Sequence, residues 1–246
     1  MKKYINKELV VILFFIIVYI GFATSNIPYP GEKCILDEVR YITSTVNISK
    51  IIILFEIYYL CITKDDLQIN KVIKMNNRHQ LWNKQIKKNI LISLWLSIFV
   101  LIITISFALL NCKEGGLINW NQVNSSYALQ SMGNTSNISF YIVILKALMI
   151  IMIQTVVCFS FSQLIIWLTD LRTIPLILVV AIAISDIHIT YIHIFFSRFN
   201  YAVTDWGTND LSAIKIIIKL LVITVCIYLY GYIFSGNKEF IEKGIK

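Results

Sequence analysis

The sequence predicts an all-α polytopic membrane protein, and its composition and hydrophobic pattern are the observations that predict it. The 246 residues are 57 % hydrophobic and 15 % charged, whereas soluble domains average about 45–50 % and about 25 %. Their mean hydropathy is +0.73. The apolar residues form six continuous runs, which favour helices across about 30 Å of hydrocarbon over the alternating strands of a barrel.

The predicted spans follow one another with polar connections, so residues 1–246 are predicted to form one transmembrane domain. The six spans are Leu9 to Ala23 (extendable to Ile27), Val46 to Thr63, Ile90 to Asn111, Phe140 to Leu168, Ile174 to Phe196, and Ala213 to Phe234. The first run, which basic residues precede and small residues follow, also fits a cleaved signal peptide. That alternative leaves the orientation of the later spans unchanged.

The distribution of basic residues predicts the orientation. With the N-terminus inside, 14 of the 22 Lys and Arg residues fall on the inner side and five on the outer side, while the acids divide evenly. By the positive-inside rule, both termini are predicted to be cytoplasmic. The net charge of +8 then indicates contact with anionic lipid, since no basic stripe interleaved with aromatic residues indicates nucleic-acid binding.

The inner connection from Lys64 to Asn89 is the most informative polar segment. Apolar residues recur in it at helical spacing among bases, which predicts one or two short amphipathic helices on the inner membrane surface. A plain basic anchor that only fixes the topology is the alternative. In the outer connections, Trp120 and Tyr127 are predicted to lie at headgroup level, and a disulfide between Cys34 and Cys112 is chemically possible.

Sequence motifs for enzymatic chemistry are missing. The chain has no glycine-rich phosphate loop, no dinucleotide fingerprint, no His-Glu-x-x-His, no Gly-x-Ser-x-Gly and no Cys-x-x-Cys. We therefore predict that the chain is not an enzyme and holds no cofactor or metal. If it pumps a substrate, ATP hydrolysis takes place on another subunit.

Ionisable residues within the spans are candidates for function because they are costly in hydrocarbon. Glu56 lies in the middle of the second span, where it must pair, bind a proton or face water. A salt bridge to Lys146, Lys215 or Lys219 and a role in transport are both open. On the fifth span, Asp186, His188 and His193 predict an outer polar cluster, which is too small for a compact metal site.

The layout of the chain resembles the permease subunits of type-2 ABC exporters. The segment 73–88, with Trp82 among its bases, is similar to the segment before the third span in small Firmicute-type permeases, including those tied to bacteriocin and lantibiotic immunity. The resemblance implies an amphipathic coupling helix between helices 2 and 3 that contacts an ATPase subunit. The implied contact residues are Arg78, His79, Leu81, Trp82 and Lys84, with Trp82 as the buried anchor.

The resemblance also implies the remaining partners and the role. The chain would export an amphiphilic substrate such as an antimicrobial peptide, lipid or drug, together with a second copy or a homologous permease, and the ATPase would hold ATP and Mg. It implies a bacterial plasma membrane and short re-entrant elements within Asp186–Ser212. Two alternatives stay open: the membrane component of a vitamin-type importer, or a non-transport membrane enzyme or accessory protein that uses Glu56, Asp186 and His188.

Overall fold

The computed structural model describes residues 7–63, 78–112, 119–188, 195–196, 206 and 212–237, and all the regular elements within these ranges are helices. The helices are α1 (Lys7–Ser25), α2 (Ile35–Ile42), α3 (Thr45–Ile62), α4 (Arg78–Asn111), α5 (Ser126–Gln130), α6 (Phe140–Thr169), α7 (Thr173–His188) and α8 (Ser212–Asn237). The predicted all-helical class is confirmed.

Four helices are long and apolar enough to cross a membrane: Thr45–Ile62, Arg78–Asn111, Phe140–Thr169 and Ile217–Gly236. The two other apolar helices, Val10–Ser25 and Thr173–His188, are shorter. A helix of 16 residues such as α7 is about 24 Å long, less than the roughly 30 Å of a hydrocarbon core. Four of the six predicted spans are therefore candidates by length, and the crossing of the other two stays a prediction.

The central helix of the bundle is α6, which packs against α2, α3, α4, α7 and α8. Neither glycine nor proline interrupts its 30 residues, so nothing in its backbone chemistry breaks the helix. It ends where Asp170 takes a left-handed conformation with φ 58°, which aspartate tolerates better than most residues. The chain then enters α7, whose first turn accommodates Pro175 because its ring needs no backbone donor there.

The longest helix is α4, and its start differs from the sequence prediction. A surface helix followed by a separate span was predicted, but Arg78–Asn111 is one helix of 34 residues. No glycine or proline lies in this range, and lysine and glutamine are good helix formers, so the helix continues through the polar segment. The earlier part of the predicted amphipathic segment, 64–77, lies outside the described residues.

The two ends of the bundle differ, and contacts between neighbouring helices define them. We call "cap end" the end where α2 and α5 lie beside the C-terminus of α4, and "basic end" the opposite end, where α4 begins with Arg78. At the cap end, α2 packs against α1, α3, α4 and α6. Its apolar residues are buried at helical spacing: Ile35, Leu36, Val39 and Ile42.

A buried carboxylate holds the cap together. Asp37 is fully buried, and its Oδ1 accepts a hydrogen bond from the Trp120 indole N–H at 3.0 Å. Its Oδ2 accepts one from the Cys34 backbone N–H, also at 3.0 Å, which caps the N-terminus of α2. Arg40 donates to the Gln130 side chain of α5 at 3.0 Å. These bonds join α2 to the segment that follows α4.

Four residues that the sequence analysis assigned to the outer connections lie within this cap. Trp120 and Tyr127 are both buried, and their rings stack with centroids 4.9 Å apart; that they lie at headgroup level stays a prediction. Cys34 and Cys112 are both buried free thiols. The Cys112 Sγ lies 4.0 Å from a carboxylate oxygen of Glu38.

Glu38 is a second buried acid in the cap. Burial raises the pKa of its carboxyl from 4.5 to about 7, against a hydrogen bond from Asn111 and the charge of Lys33, while the Asp37 carboxyl adds to the rise. One of its oxygens has no hydrogen-bond partner among the described residues. The ionised form is therefore disfavoured in the folded cap.

The cap is expected to lose stability as the pH rises. A carboxyl whose pKa is higher in the folded state binds a proton on folding between its two pKa values, so stability decreases as the pH rises through that window. For Glu38 the window extends from pH 4.5 to about 7. Thermal unfolding of the detergent-solubilised chain across this window should therefore show a smaller decrease in Tm for Glu38→Gln than for wild type.

The exposed neighbour Glu32 provides the matched control. Glu32→Gln should keep the wild-type pH dependence, because its side chain is not buried. Identical pH profiles for Glu38→Gln and wild type would show that Glu38 does not titrate in the cap.

Candidate functional site

At the basic end, Trp82 joins α4 to two other helices. Its side chain is fully buried, and its indole N–H donates to the Tyr228 carbonyl of α8 at 3.2 Å. Its ring meets Trp167 of α6 edge-on, with centroids 5.6 Å apart. Gly231 makes this contact possible, since a Cβ there would lie 2.1 Å from the Trp82 ring.

His79, one turn before Trp82, also contacts α8. Its Nδ1 lies 3.0 Å from the Ser235 hydroxyl, and its ring stacks on Tyr232 with centroids 4.3 Å apart. Leu81 is buried as well. His79, Leu81 and Trp82 were predicted to contact an ATPase, but in this structure they pack within their own chain. The Trp82 ring is therefore unavailable as an anchor in a partner's groove.

The opposite face of the same helical turns is exposed and basic. Gln80, Lys84 and Lys87 are exposed and lie on one stripe of α4, whereas Arg78 is half-buried. The next residue on this stripe, Leu91, is apolar and 66 % exposed. The exposed stripe thus changes from polar to apolar at Leu91, as expected where a helix enters hydrocarbon. Of the five predicted contact residues, Lys84 is the one that lies on this exposed stripe.

Deeper in the bundle, hydrogen bonds between side chains connect three helices. The Tyr59 hydroxyl of α3 donates to the Gln163 carbonyl oxygen of α6 at 2.6 Å, and the Gln163 amide donates to Gln85 of α4 at 3.1 Å. The Trp167 indole N–H donates to the same Gln85 oxygen at 2.8 Å. We call these four residues the paired layer. All four are buried, so each bond replaces water that the site excludes.

Buried polar groups on the cap side of this layer are less well satisfied. On α3, α4 and α6, between this layer and the cap, six side chains have polar atoms without a hydrogen-bond partner among the described residues: Glu56, Asn89, Ser93, Gln154, Ser160 and Ser162. We call them the unpaired set. The Gln85 Nε2 in the layer itself is also without a partner in the described part of the chain. Natural proteins leave few buried polar atoms unpaired because each costs about 1–3 kcal/mol. Such a concentration marks a site rather than ordinary packing.

Among the described residues, Glu56 has no lysine partner. Its side chain is fully excluded from solvent, at 0 % exposure, and neither carboxylate oxygen has a hydrogen-bond partner there. Lys146 and Lys219 therefore do not pair with it, and the side chain of Lys215 lies outside the described part. The predicted salt bridge to Lys146 or Lys219 is accordingly not formed.

Asp186 and His188, two members of the predicted outer polar cluster, differ in their exposure. Asp186 is buried, and its Oδ2 accepts hydrogen bonds from the backbone N–H groups of Phe195 at 2.8 Å and Phe196 at 2.6 Å. In a continuous helix, residue 195 would lie about 13 Å further along the axis, so the chain turns back after α7. Residues 195–196 therefore do not continue α7 as one helix. The described part of α7 reaches His188, which is exposed, and His193 lies outside the described residues.

The chain matches no family model, no curated protein and no solved structure. Any function for it must therefore be argued from its own residues.

Sequence reasoning missed the neutral members of both groups. Gln85 and Gln163 carry no charge, so a search for ionisable residues within spans passes over them. A signal was nevertheless present on α4, where Gln85, Asn89 and Ser93 recur every four residues and so share one helix face. All three are buried. Polar residues at this spacing in an apolar run indicate a face that contacts other helices.

Proposed function

We propose that the chain is the permease subunit of an ABC-type exporter whose ATP hydrolysis takes place on a separate subunit. Its basic end and both termini face the cytoplasm of a bacterial cell, and six helices cross the plasma membrane. It works with a second copy or a homologous permease, and its substrate is an amphiphile such as an antimicrobial peptide, lipid or drug. The similarity of the segment around Trp82 to small permeases supports this assignment.

The observation that carries the proposal is the continuity of α4. Its 34 residues correspond to about 51 Å, roughly 20 Å more than a hydrocarbon core. Its first three turns carry the exposed residues Gln80, Lys84 and Lys87. A force applied to these turns by a partner therefore acts directly on the transmembrane part of the same rigid helix.

Two contacts allow such a displacement to reach the other helices. The Trp82 ring is enclosed between α4, α6 and α8, and Gln85 bonds to Gln163 and Trp167 of α6. Close-packed interiors transmit displacement because they contain little free volume. This replaces the implied role of Trp82: the ring couples helices inside the permease, while the exposed lysines offer the contact to the ATPase.

Charge reversal of the exposed lysines tests this proposal. The variant Lys84→Glu/Lys87→Glu is expected to lose an ATPase subunit that co-purifies with the tagged full-length chain from its native membrane. Like charges at an acidic partner surface repel, and the two exposed side chains have no role in internal packing. The measurement is ATP hydrolysis in the purified complex, with mass spectrometry identifying a nucleotide-binding protein.

Lys50 provides the matched control, because it is also exposed but lies near the cap end of α3. Lys50→Glu should retain the ATPase at wild-type level. Purification of the wild-type chain without any nucleotide-binding protein would refute the permease assignment, and equal ATPase recovery in both variants would refute the contact through Lys84 and Lys87.

A further inference from the structure

The buried carboxyl group of Glu56 is the feature that none of the contacts above explains. An ionised carboxylate without a counter-charge or hydrogen bonds is strongly disfavoured in a protein interior. The Ser162 hydroxyl of α6 lies beside the carboxyl group, yet neither side chain has a hydrogen bond of acceptable geometry. The carboxyl group therefore requires a partner that the described residues do not supply in this arrangement.

The charged groups on the neighbouring helices do not supply that partner. On α6 and α7, the groups that act on this region are the Cys158 thiol and the Asp186 carboxylate, and both Glu56 and Asp186 influence Cys158 electrostatically. Asp186 is an acid like Glu56, and its Oδ2 accepts two backbone N–H bonds. On α1, Tyr19 bonds to Asn47, which lies about 13 Å along α3 from Glu56. The acids Asp37 and Glu38 of α2 belong to the cap.

Neutral polar groups lie at the depth of Glu56 on two other helices. Glu56 is one turn nearer the cap end than the paired layer. By helical register, Ser160 lies about one turn nearer the cap end than Gln163 on α6, and Asn89 lies about one turn nearer the cap end than Gln85 on α4. Both have unpaired polar atoms. Both side chains are neutral, so neither adds a positive charge at this depth.

The enclosure limits the size of a partner for Glu56. A metal cation needs several ligands to replace its water, and among the described residues no three His, Cys, Asp or Glu side chains converge. A large cationic substrate cannot reach a side chain that is 0 % exposed. A proton neutralises the carboxylate and occupies no cavity.

We propose that Glu56 is a proton-binding site at the centre of the bundle, exchanging its proton as α3 moves against α4 and α6. In the closed arrangement the carboxyl group holds the proton and is therefore neutral. Release of the proton to water leaves a carboxylate, which must then be hydrated or paired. Opening of the helices and deprotonation of Glu56 are therefore linked. This inference does not depend on an ATPase partner.

The test uses dicyclohexylcarbodiimide, an apolar reagent that modifies protonated carboxyl groups within membranes. Because Glu56 is enclosed in the closed arrangement, the reagent reaches it only when the helices open, which is the motion that the proposal requires. The acid proton moves to a carbodiimide nitrogen, the carboxylate oxygen adds to the central carbon, and acyl migration gives a stable N-acylurea with no leaving group. Peptide mass spectrometry of the full-length chain in vesicles is expected to locate this adduct on Glu56. Labelling should decrease as the pH rises, by up to about tenfold per pH unit once the acid titrates.

Three variants make the test specific. Glu56→Gln should abolish the adduct, Ser162→Ala should retain it with a changed pH midpoint, and Glu38→Gln in the cap should leave it unchanged. No adduct on Glu56 at any pH, or labelling that does not change with pH, would overturn the proposal. Protection by sodium or potassium at constant pH would also overturn it, because the site would then bind an alkali metal ion. Since wild-type labelling requires no substitution, the test does not depend on the folding of a variant.

Discussion

Replacing Gly231 with alanine is expected to destabilise the bundle by about 3 kcal/mol or more, at the upper end of the cost of overpacking a core. The new Cβ would lie 2.1 Å from one atom of the Trp82 ring and 2.4 Å from another. The ring has no free space into which to move, because it is fully buried against α6 and α8. Unfolding of the full-length chain in detergent measures the loss.

A double-mutant cycle separates this steric conflict from a general effect of alanine in α8. Trp82→Ala alone removes the ring and is expected to cost about 3–5 kcal/mol. In that background Gly231→Ala meets no ring, so the two losses should not add. Strictly additive losses would show that Gly231 and Trp82 do not depend on each other.

Replacing Asp37 with alanine is expected to have the second large effect, at the other end of the molecule. The substitution leaves the Trp120 indole N–H and the Cys34 backbone N–H buried without an acceptor. Each such donor costs about 1–3 kcal/mol. Burial raises the pKa of the Asp37 carboxyl, although both hydrogen bonds oppose that rise. Removing the buried charge therefore offsets only part of the loss.

The comparison with Asp37→Asn distinguishes the lost hydrogen bonds from the lost charge. Asparagine keeps the shape and one acceptor oxygen, so its decrease in Tm should lie between those of wild type and Asp37→Ala. An alanine variant as stable as wild type would mean that these two bonds do not hold the cap.

The long helices were largely predictable because a continuous apolar run and a membrane-spanning helix have the same cause. Phe140–Thr169 begins at the predicted residue and ends one residue later. The start of α4 was not predictable from hydropathy. The apolar run begins only at Ile90, because polar and charged residues predominate in 78–89. The helix nevertheless begins at Arg78, since backbone hydrogen bonding continues through lysine and glutamine.

Contacts between distant segments limited the prediction of the site. The charge of Glu56 identifies it in the sequence as a candidate. The requirement for glycine at position 231, in contrast, arises from the ring of Trp82 on another helix, which the sequence does not place there. The departure of residues 195–196 from α7 has a similar origin, because Asp186 bonds to backbone N–H groups that no residue pattern identifies. Spacing identifies which residues share a helix face, but it does not identify the partner of that face.

The cap has a mechanical consequence for the whole bundle. Because α2 contacts α1, α3, α4 and α6, and Arg40 and Asp37 tie it to the segment between α4 and α6, these helices are clamped together at one extremity. The helices can then separate only by rotating about the cap end, so that their basic ends move apart. A rotation of about 5° would shift the far tip of a 34-residue helix by about 4 Å, so the widest excursion falls at the lysine-bearing turns.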